Sequence, residues 1–272
     1  MHTITLAHPT DWPGFRRAAR ALAQAGVPPQ EVLWRTAQDA EHDLFAAPAD
    51  PLPSPPGPAP HVPQSFVRLC ERIVLHRDPA RFALLYRLLW RLSRDDALRR
   101  DPLDADRVQA RHMAHAVARD MHKMHAFVRF RPVADGAGRT VQVAWFEPDH
   151  YITEANAGFF VRRFTQMHWA ILTPDASVRW DGAALHVGPG AQRADAPPPD
   201  AGEALWLTYY RSIFNPARLK TGMMKKEMPR RYWHNLPEAV LIDELAHGAH
   251  ERSARMVAAE ATAPRRRIVQ SL

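Results

Sequence analysis

FVRFRPVADGAGRTVQVAWF, residues 127–146, decides the class of this fold. Two apolar or alternating runs, 127–133 and 140–146, flank Asp135-Gly136-Ala137-Gly138. Alternation with a period of two forms strands, and a short Gly-rich interval closes such strands into a hairpin. Before the hairpin the pattern is helical, with Asp104 placed to cap a long helix running to about residue 127. After it, residues 155–166 read as a helix. Short strands follow at 167–173, 177–181 and 184–187, with Asp181-Gly182 as a turn. The expected class is α+β with antiparallel hairpins.

Further out, residues 3–7 and 31–36 read as strands around a helix at 11–25. Phe15, Ala18, Ala19 and Leu22 recur there at helical spacing, and Gly26 stops the helix. This β-α-β opening has no GxGxxG and no Walker lysine, so no nucleotide site is assigned to it. Prolines crowd residues 48–63, which reads as a linker or a surface excursion. A helical middle follows at 65–76 and 79–93, where Pro79 suits a first turn. Phe82, Leu85, Tyr86, Leu89 and Leu92 share a face there, leaving Arg81, Arg87, Arg91 and Arg94 on the others. Residues 191–202 read as a loop, 203–213 as a helix, and 237–260 as a terminal helix with Asn235 as its cap. The expected divisions are an opening segment 1–47, a Pro-rich linker 48–63, a main α+β domain 64–262 and a basic tail 263–272. No internal repeat is found.

The chain has 272 residues, 46% hydrophobic and 24% charged, an ordinary globular balance. A formal net charge of +7 favours an anionic partner. A single cysteine, Cys70, excludes an internal disulfide framework and a thiolate zinc site built by this chain alone. It fits a reducing cytoplasm. The opening MHTITLAHPTDW lacks a basic region followed by an apolar run, so no signal peptide is expected. No apolar stretch has the length of a membrane span.

Positive charge and aromatic rings gather late. Between residues 205 and 239 lie Arg211, Arg218, Lys220, Lys225, Lys226, Arg230 and Arg231, against Glu227 and Glu238. Trp206, Tyr209, Tyr210, Phe214, Tyr232 and Trp233 are interleaved with them. Cations neutralise phosphates, and flat rings stack on unpaired bases. The expected nucleic-acid contacts are Tyr209, Tyr210, Asn215, Arg218, Lys220, Lys225, Lys226, Arg230, Arg231, Tyr232 and Trp233, with Arg129, Arg131, Arg162 and Arg163 extending the groove. The bland reading of such a run is a solvated face beside a core edge.

Candidates for chemistry lie on the long helix and after the hairpin. His112 with His115, and His122 with His125, are each three apart and able to approach one metal. There is no HExxH and no third ligand fixed by spacing, so His122 is expected to be buried and hydrogen-bonded instead. Glu147, Asp149, His150 and Glu154 follow the hairpin and suit either acid–base work or a helix start. A joint site of Asp120, His122, Glu147 and His150 is the enzymatic option, with a divalent metal left open and no cofactor required.

Several long segments carry a resemblance: FALLYRLLWRL, ARDMHKMHAFVRF, VAWFEPDHYITEANAGFFVRRF, WAILTPDASVRWDG and YYRSIFNPARLK with EMPRRYWHNLPEA. Together they resemble the bacterial DUF4130 family of DNA metabolism or repair proteins. Asp120, His122, Lys123, Glu147, Asn215, Arg218 and the MPRRYW segment match its motifs, whereas His125 stands where a basic residue is usual. The resemblance implies a cytoplasmic DNA-binding role in a DNA repair or modification system. It implies as partners a radical-SAM protein or a uracil-DNA-glycosylase-like module, the latter joined at the C-terminus in fused members. This chain then reads as a stand-alone member or as the first part of a fusion. Two alternatives stand beside DNA binding: an enzyme acting on DNA lesions, ends or adducts, and an interaction scaffold for either partner.

Overall fold

The computed structural model describes residues 1–42, 51–53, 57–95, 97–134, 139–198, 223 and 227–242. The chain opens with β1 (His2–Leu6), α1 (Trp12–Gln24) and β2 (Val32–Thr36), and the two strands pair in parallel, His2 opposite Val32. Asp11 caps α1, its Oδ1 accepting from the Gly14 amide at 2.8 Å while Oδ2 accepts from Ala7. A Cβ on Gly14 would fall 2.0 Å from that carboxylate, so the cap requires glycine there. A short helix α2 (Ala37–His42) follows, then α3 (Gln64–Ile73) and α4 (Arg81–Leu92).

The long helix is α5 (Ala105–Phe127), capped by Asp104 through the Arg107 amide at 3.1 Å. A second sheet then forms from β3 (Arg131–Ala134), β4 (Thr140–Trp145), β5 (Trp169–Leu172), β6 (Ala176–Trp180) and β7 (Leu185–Pro189), in that order. Its β3–β4, β5–β6 and β6–β7 pairs are antiparallel. β4 and β5 run parallel, because α6 (Thr153–Arg163) carries the chain back across the sheet. The Asp181-Gly182 turn forms as read: Asp181 accepts from the Ala183 and Ala184 amides, and Gly182 has φ of 91°. The sheet is thus mixed, and the class is α+β.

Two hydrophobic clusters form the interior. One joins the opening to α3, α4 and the start of α5 through a ring pile in which Phe15 lies 4.8 Å from Trp34 and 5.4 Å from Phe82. The other joins the rest of α5 to α6 and the second sheet around Phe146, Phe160 and Trp169. α5 contributes Ala110, Met113 and Ala114 to the first and Val117, Met124 and Phe127 to the second.

Two local expectations in the helical middle need correction. Pro79 is not the first turn of α4: it lies in a turn where Asp78 Oδ1 accepts from the Ala80 amide, and the helix starts two residues later. Arg81 does not face solvent. It is 3% exposed and donates to the carbonyls of Val74, Asp78 and Pro9 at 3.0, 2.9 and 2.6 Å. Its burial lowers the guanidinium pKa to about 10. Residues 57–62 of the Pro-rich stretch lie against the fold, with Gln24 Nε2–H donating to the Gly57 carbonyl at 3.0 Å. The hairpin turn 135–138, the helix expected at 203–213 and the tail lie outside the described residues. Of the terminal helix expected at 237–260, residues 237–242 are described: 237 and 238 form a turn, 239–242 are helical, and Asn235 belongs to the 3-10 segment Arg230–Asn235 instead of capping the helix.

Candidate functional site

The residues singled out from sequence meet where α5, the α3–α4 connection, the β4–α6 connection and a 3-10 turn (Arg230–Asn235) converge. Asp120 occupies the apolar stripe of α5, between Val117 and Met124 in helical spacing, and is 2% exposed. Its Oδ2 accepts from the His150 amide at 2.9 Å, and its Oδ1 accepts from the Tyr232 hydroxyl at 3.3 Å. Burial, with Asp149 nearby, pushes the Asp120 carboxyl up to about 6.

The Tyr232 ring packs on two others, 5.3 Å from Phe127 and 5.3 Å from Phe146, the latter nearly parallel at 6°. Its hydroxyl accepts from Arg231 at 2.7 Å, and burial raises its pKa above the ordinary tyrosine range. Arg231 forms a two-pronged pair with Asp149. The Asp149 carbonyl accepts from Arg77 Nε at 2.9 Å, and Arg77 pairs in turn with Asp175, Nη1 to Oδ1 at 3.1 Å. A chain of contacts therefore runs from Asp175 to Arg77, Asp149, Arg231, Tyr232 and Asp120.

His150 stacks on His76 at 4.3 Å, and its Nδ1 accepts from the Arg77 amide at 3.3 Å. Burial, the facing His76 and the nearby guanidiniums lower the His150 pKa to about 4. His150 is thus a neutral ring whose Nδ1 is occupied, and its main chain, rather than its side chain, serves Asp120.

The joint site expected from sequence does not assemble as one unit. His122 is exposed and not buried, because two residues turn a helix by about 200° and Asp120 holds the inner face. The inner histidine is His125, whose Nε2 lies 2.7 Å from Asn156 Oδ1 and whose ring stacks on Phe159 at 3.7 Å. His112 and His115 are exposed. Glu147 is exposed, accepts from Trp145 Nε1–H at 2.7 Å and lies 3.8 Å from His234. Among the described residues no three metal-binding side chains converge.

The nucleic-acid candidates divide sharply. Tyr232 is core and offers no ring to a base: it is 1% exposed and packed on Phe127 and Phe146. Arg231 is held by Asp149, and Arg129 by Glu238 at 2.8 Å and by the Ala126 carbonyl. Arg131 donates to the Pro197 carbonyl at 2.7 Å. Trp233 is half-buried, with Nε1–H donating to the Met228 carbonyl at 2.9 Å and Arg230 over its ring at 5.6 Å. Tyr209, Tyr210, Asn215, Arg218, Lys220, Lys225 and Lys226 lie outside the described residues.

What the sequence reading missed is the outer face of α5. His112, His115, Arg119, His122 and Ala126 follow one another at intervals of three and four residues, and all are exposed. The acids of α5 are Asp106 and Asp120. Asp106 is taken by Arg87 and Arg91, each at 2.7 Å, and Asp120 is buried. Lys123 lies 5.8 Å from the Tyr232 ring, so this face borders the turn that carries Arg230. α6 packs on the C-terminal half of α5 through Asn156 and Phe159, and Arg162 and Arg163 in its last turn are exposed. Among the described residues, Arg119, Lys123, Arg162, Arg163 and Arg230 pair with no carboxylate. The signal was present as a 3-4 spacing of His and Arg with no acid at those positions.

No described helix is long and apolar enough to cross a membrane. Among curated proteins and among solved structures, none matches the chain. A family model described as a domain of unknown function, DUF4130, matches residues 79–238. That span holds α4, α5, the second sheet, α6 and the Tyr232 turn, which is every element of the contact chain except the Arg77 corner. It covers more than half of the 272 residues, and the chain belongs to the DUF4130 family.

Proposed function

We propose that the protein binds DNA through the outer face of α5 and the arginines beside it. The observation that carries this reading is Arg119 and Lys123 on a helical face without a carboxylate, with Arg162 and Arg163 exposed in the last turn of the helix packed on α5 and Arg230 in the adjoining turn, none paired with a carboxylate among the described residues. Unpaired surface cations neutralise phosphates without first breaking an internal ion pair. A helix of 23 residues is about 34 Å long, about one turn of duplex DNA, so its length suits contact with several phosphates. The turn that carries Arg230 lies beside Lys123 and adds that charge to the same side. On this reading Tyr232 and Asp120 are positioning residues that fix the turn, and they do not touch DNA. The role assigned is that of a DNA-holding module in cytoplasmic DNA repair or modification. Its partner would be a radical-SAM or uracil-DNA-glycosylase-like protein.

The test is fluorescence anisotropy with a labelled duplex and with the same strand alone. Arg119→Glu/Lys123→Glu should weaken binding by roughly tenfold or more in low salt, since each reversal adds repulsion to a lost contact. Affinity equal to that of the unaltered protein would remove α5 from the interface.

A further inference from the structure

A second feature lies away from this face, between α1, α3, α4 and residues 59–62. It is a pocket of about 210 Å³ with an apolar floor of Phe15, Ala19, Phe66, Cys70, Leu85 and Leu89. Trp12 and Val62 close its sides. Burial raises the Cys70 thiol well above its ordinary range, so the floor carries no charge. At the mouth are Arg16 and Arg20, four residues apart on α1 and therefore on one face. Both are exposed, and among the described residues neither forms an ion pair.

We propose that this pocket binds a small amphipathic carboxylate, an aryl or medium-chain acyl acid. The apolar body would enter between Phe15, Phe66 and Leu89, and the carboxylate would lie on Arg16 and Arg20. Three physical points select this class. The volume is below the roughly 300–1,000 Å³ of pockets for drug-sized ligands, so the ligand is small. The floor lacks charged groups and the partners that the polar edge of a nucleobase needs, so a nucleotide would leave those groups unsatisfied. Two guanidiniums in helical register offer a carboxylate charge-assisted hydrogen bonds that a neutral head group cannot use.

The experiment is calorimetric titration of the full chain with sodium octanoate, 1-octanol and adenosine monophosphate. Octanoate should saturate a single site, octanol should bind more weakly, and the nucleotide should not bind there. Arg16→Gln/Arg20→Gln should weaken octanoate by roughly tenfold while leaving octanol unchanged. Val67→Trp, which places an indole at a half-buried lining position, should remove both. The arginine variants lie on an exposed face and decide the matter should Val67→Trp fail to fold. The proposal is overturned by octanoate heats that do not saturate, by equal octanoate affinity in the arginine variants, or by nucleotide binding as tight as that of octanoate. None of these outcomes bears on DNA binding by α5, which the anisotropy assay reads separately.

Discussion

Asp120 and His150 are bonded to each other and respond to pH in opposite senses. The Asp120 carboxyl is raised to about 6, so the folded state holds its proton more tightly than the unfolded state does. That contribution is full below the unfolded carboxyl range, near pH 4, and is lost as pH rises through about 6. The His150 ring is lowered to about 4, so the unfolded state holds its proton more tightly. Its contribution is full above about pH 6.5 and is lost as pH falls toward 4. The Asp120 contribution is about 3 kcal/mol, since a tenfold change in proton affinity is worth roughly 1.4 kcal/mol, the half-buried His150 contribution is reduced by solvent screening, and the two oppose one another over the same interval. Urea unfolding between pH 4 and 7 should therefore show a weaker pH dependence for the unaltered protein than for Asp120→Asn. Asp120→Asn should expose the histidine slope, with stability falling on acidification. His150→Gln should expose the opposite slope. His76, also lowered by burial, adds to the histidine side. Parallel curves for all three proteins would contradict the assigned environments.

Tyr232 is the other residue on which the site depends. Tyr232→Ala should cost about 3–5 kcal/mol, because it removes a buried ring packed on Phe127 and Phe146. Tyr232→Phe keeps the stack and removes one acceptor for Arg231 and one donor to Asp120, at a cost of about 1–3 kcal/mol. Thermal unfolding of the two variants separates the ring from the hydroxyl. Similar losses in both would mean that the hydroxyl, not the stack, holds the turn.

Among the elements, local signals were legible and distant partners were not. The cap at Asp104 and the Asp181-Gly182 turn depend on neighbours within three residues, and both form. The parallel β4–β5 pair could not be read from the strands themselves, since it depends on how α6 crosses the sheet. Arg81 has the sequence signature of a surface arginine, yet one of its carbonyl partners, Pro9, is 72 residues away. Tyr232 and Arg231 read as a nucleic-acid pair by composition. They prove to be a core ring and a paired cation because Phe127, Phe146 and Asp149 approach from far along the chain. Asp120 was legible as a candidate acid on the long helix, but its place on the inner stripe of α5 was not, and neither were its partners. At the Arg81 corner, Arg81→Lys should cost about 2–4 kcal/mol, since an ammonium cannot reach three carbonyls set for a guanidinium fork. Chemical unfolding measures this, and a loss within the error of the method would mean that the corner is held by its apolar contacts alone.

For the molecule as a whole, α5 has two jobs. Its inner face ties together two hydrophobic clusters, and its outer face is free of acid. The internal ion pairs reduce the charge open to an anionic partner: Arg77, Arg87, Arg91, Arg129 and Arg231 are spent on carboxylates of the chain itself. Among the described residues, the charges without a carboxylate partner include Arg119 and Lys123 on α5, Arg162 and Arg163 at the end of α6, and Arg230 in the adjoining turn. The most direct measurement is the salt dependence of DNA affinity, as the slope of log K against log salt concentration. Each phosphate contact contributes about 0.9 to that slope on duplex DNA. The account predicts that Arg119→Gln/Lys123→Gln lowers the slope by about 2, whereas Arg87→Gln, which removes a cation already paired with Asp106, leaves it unchanged. Equal slopes for the α5 variant and the unaltered protein would contradict it.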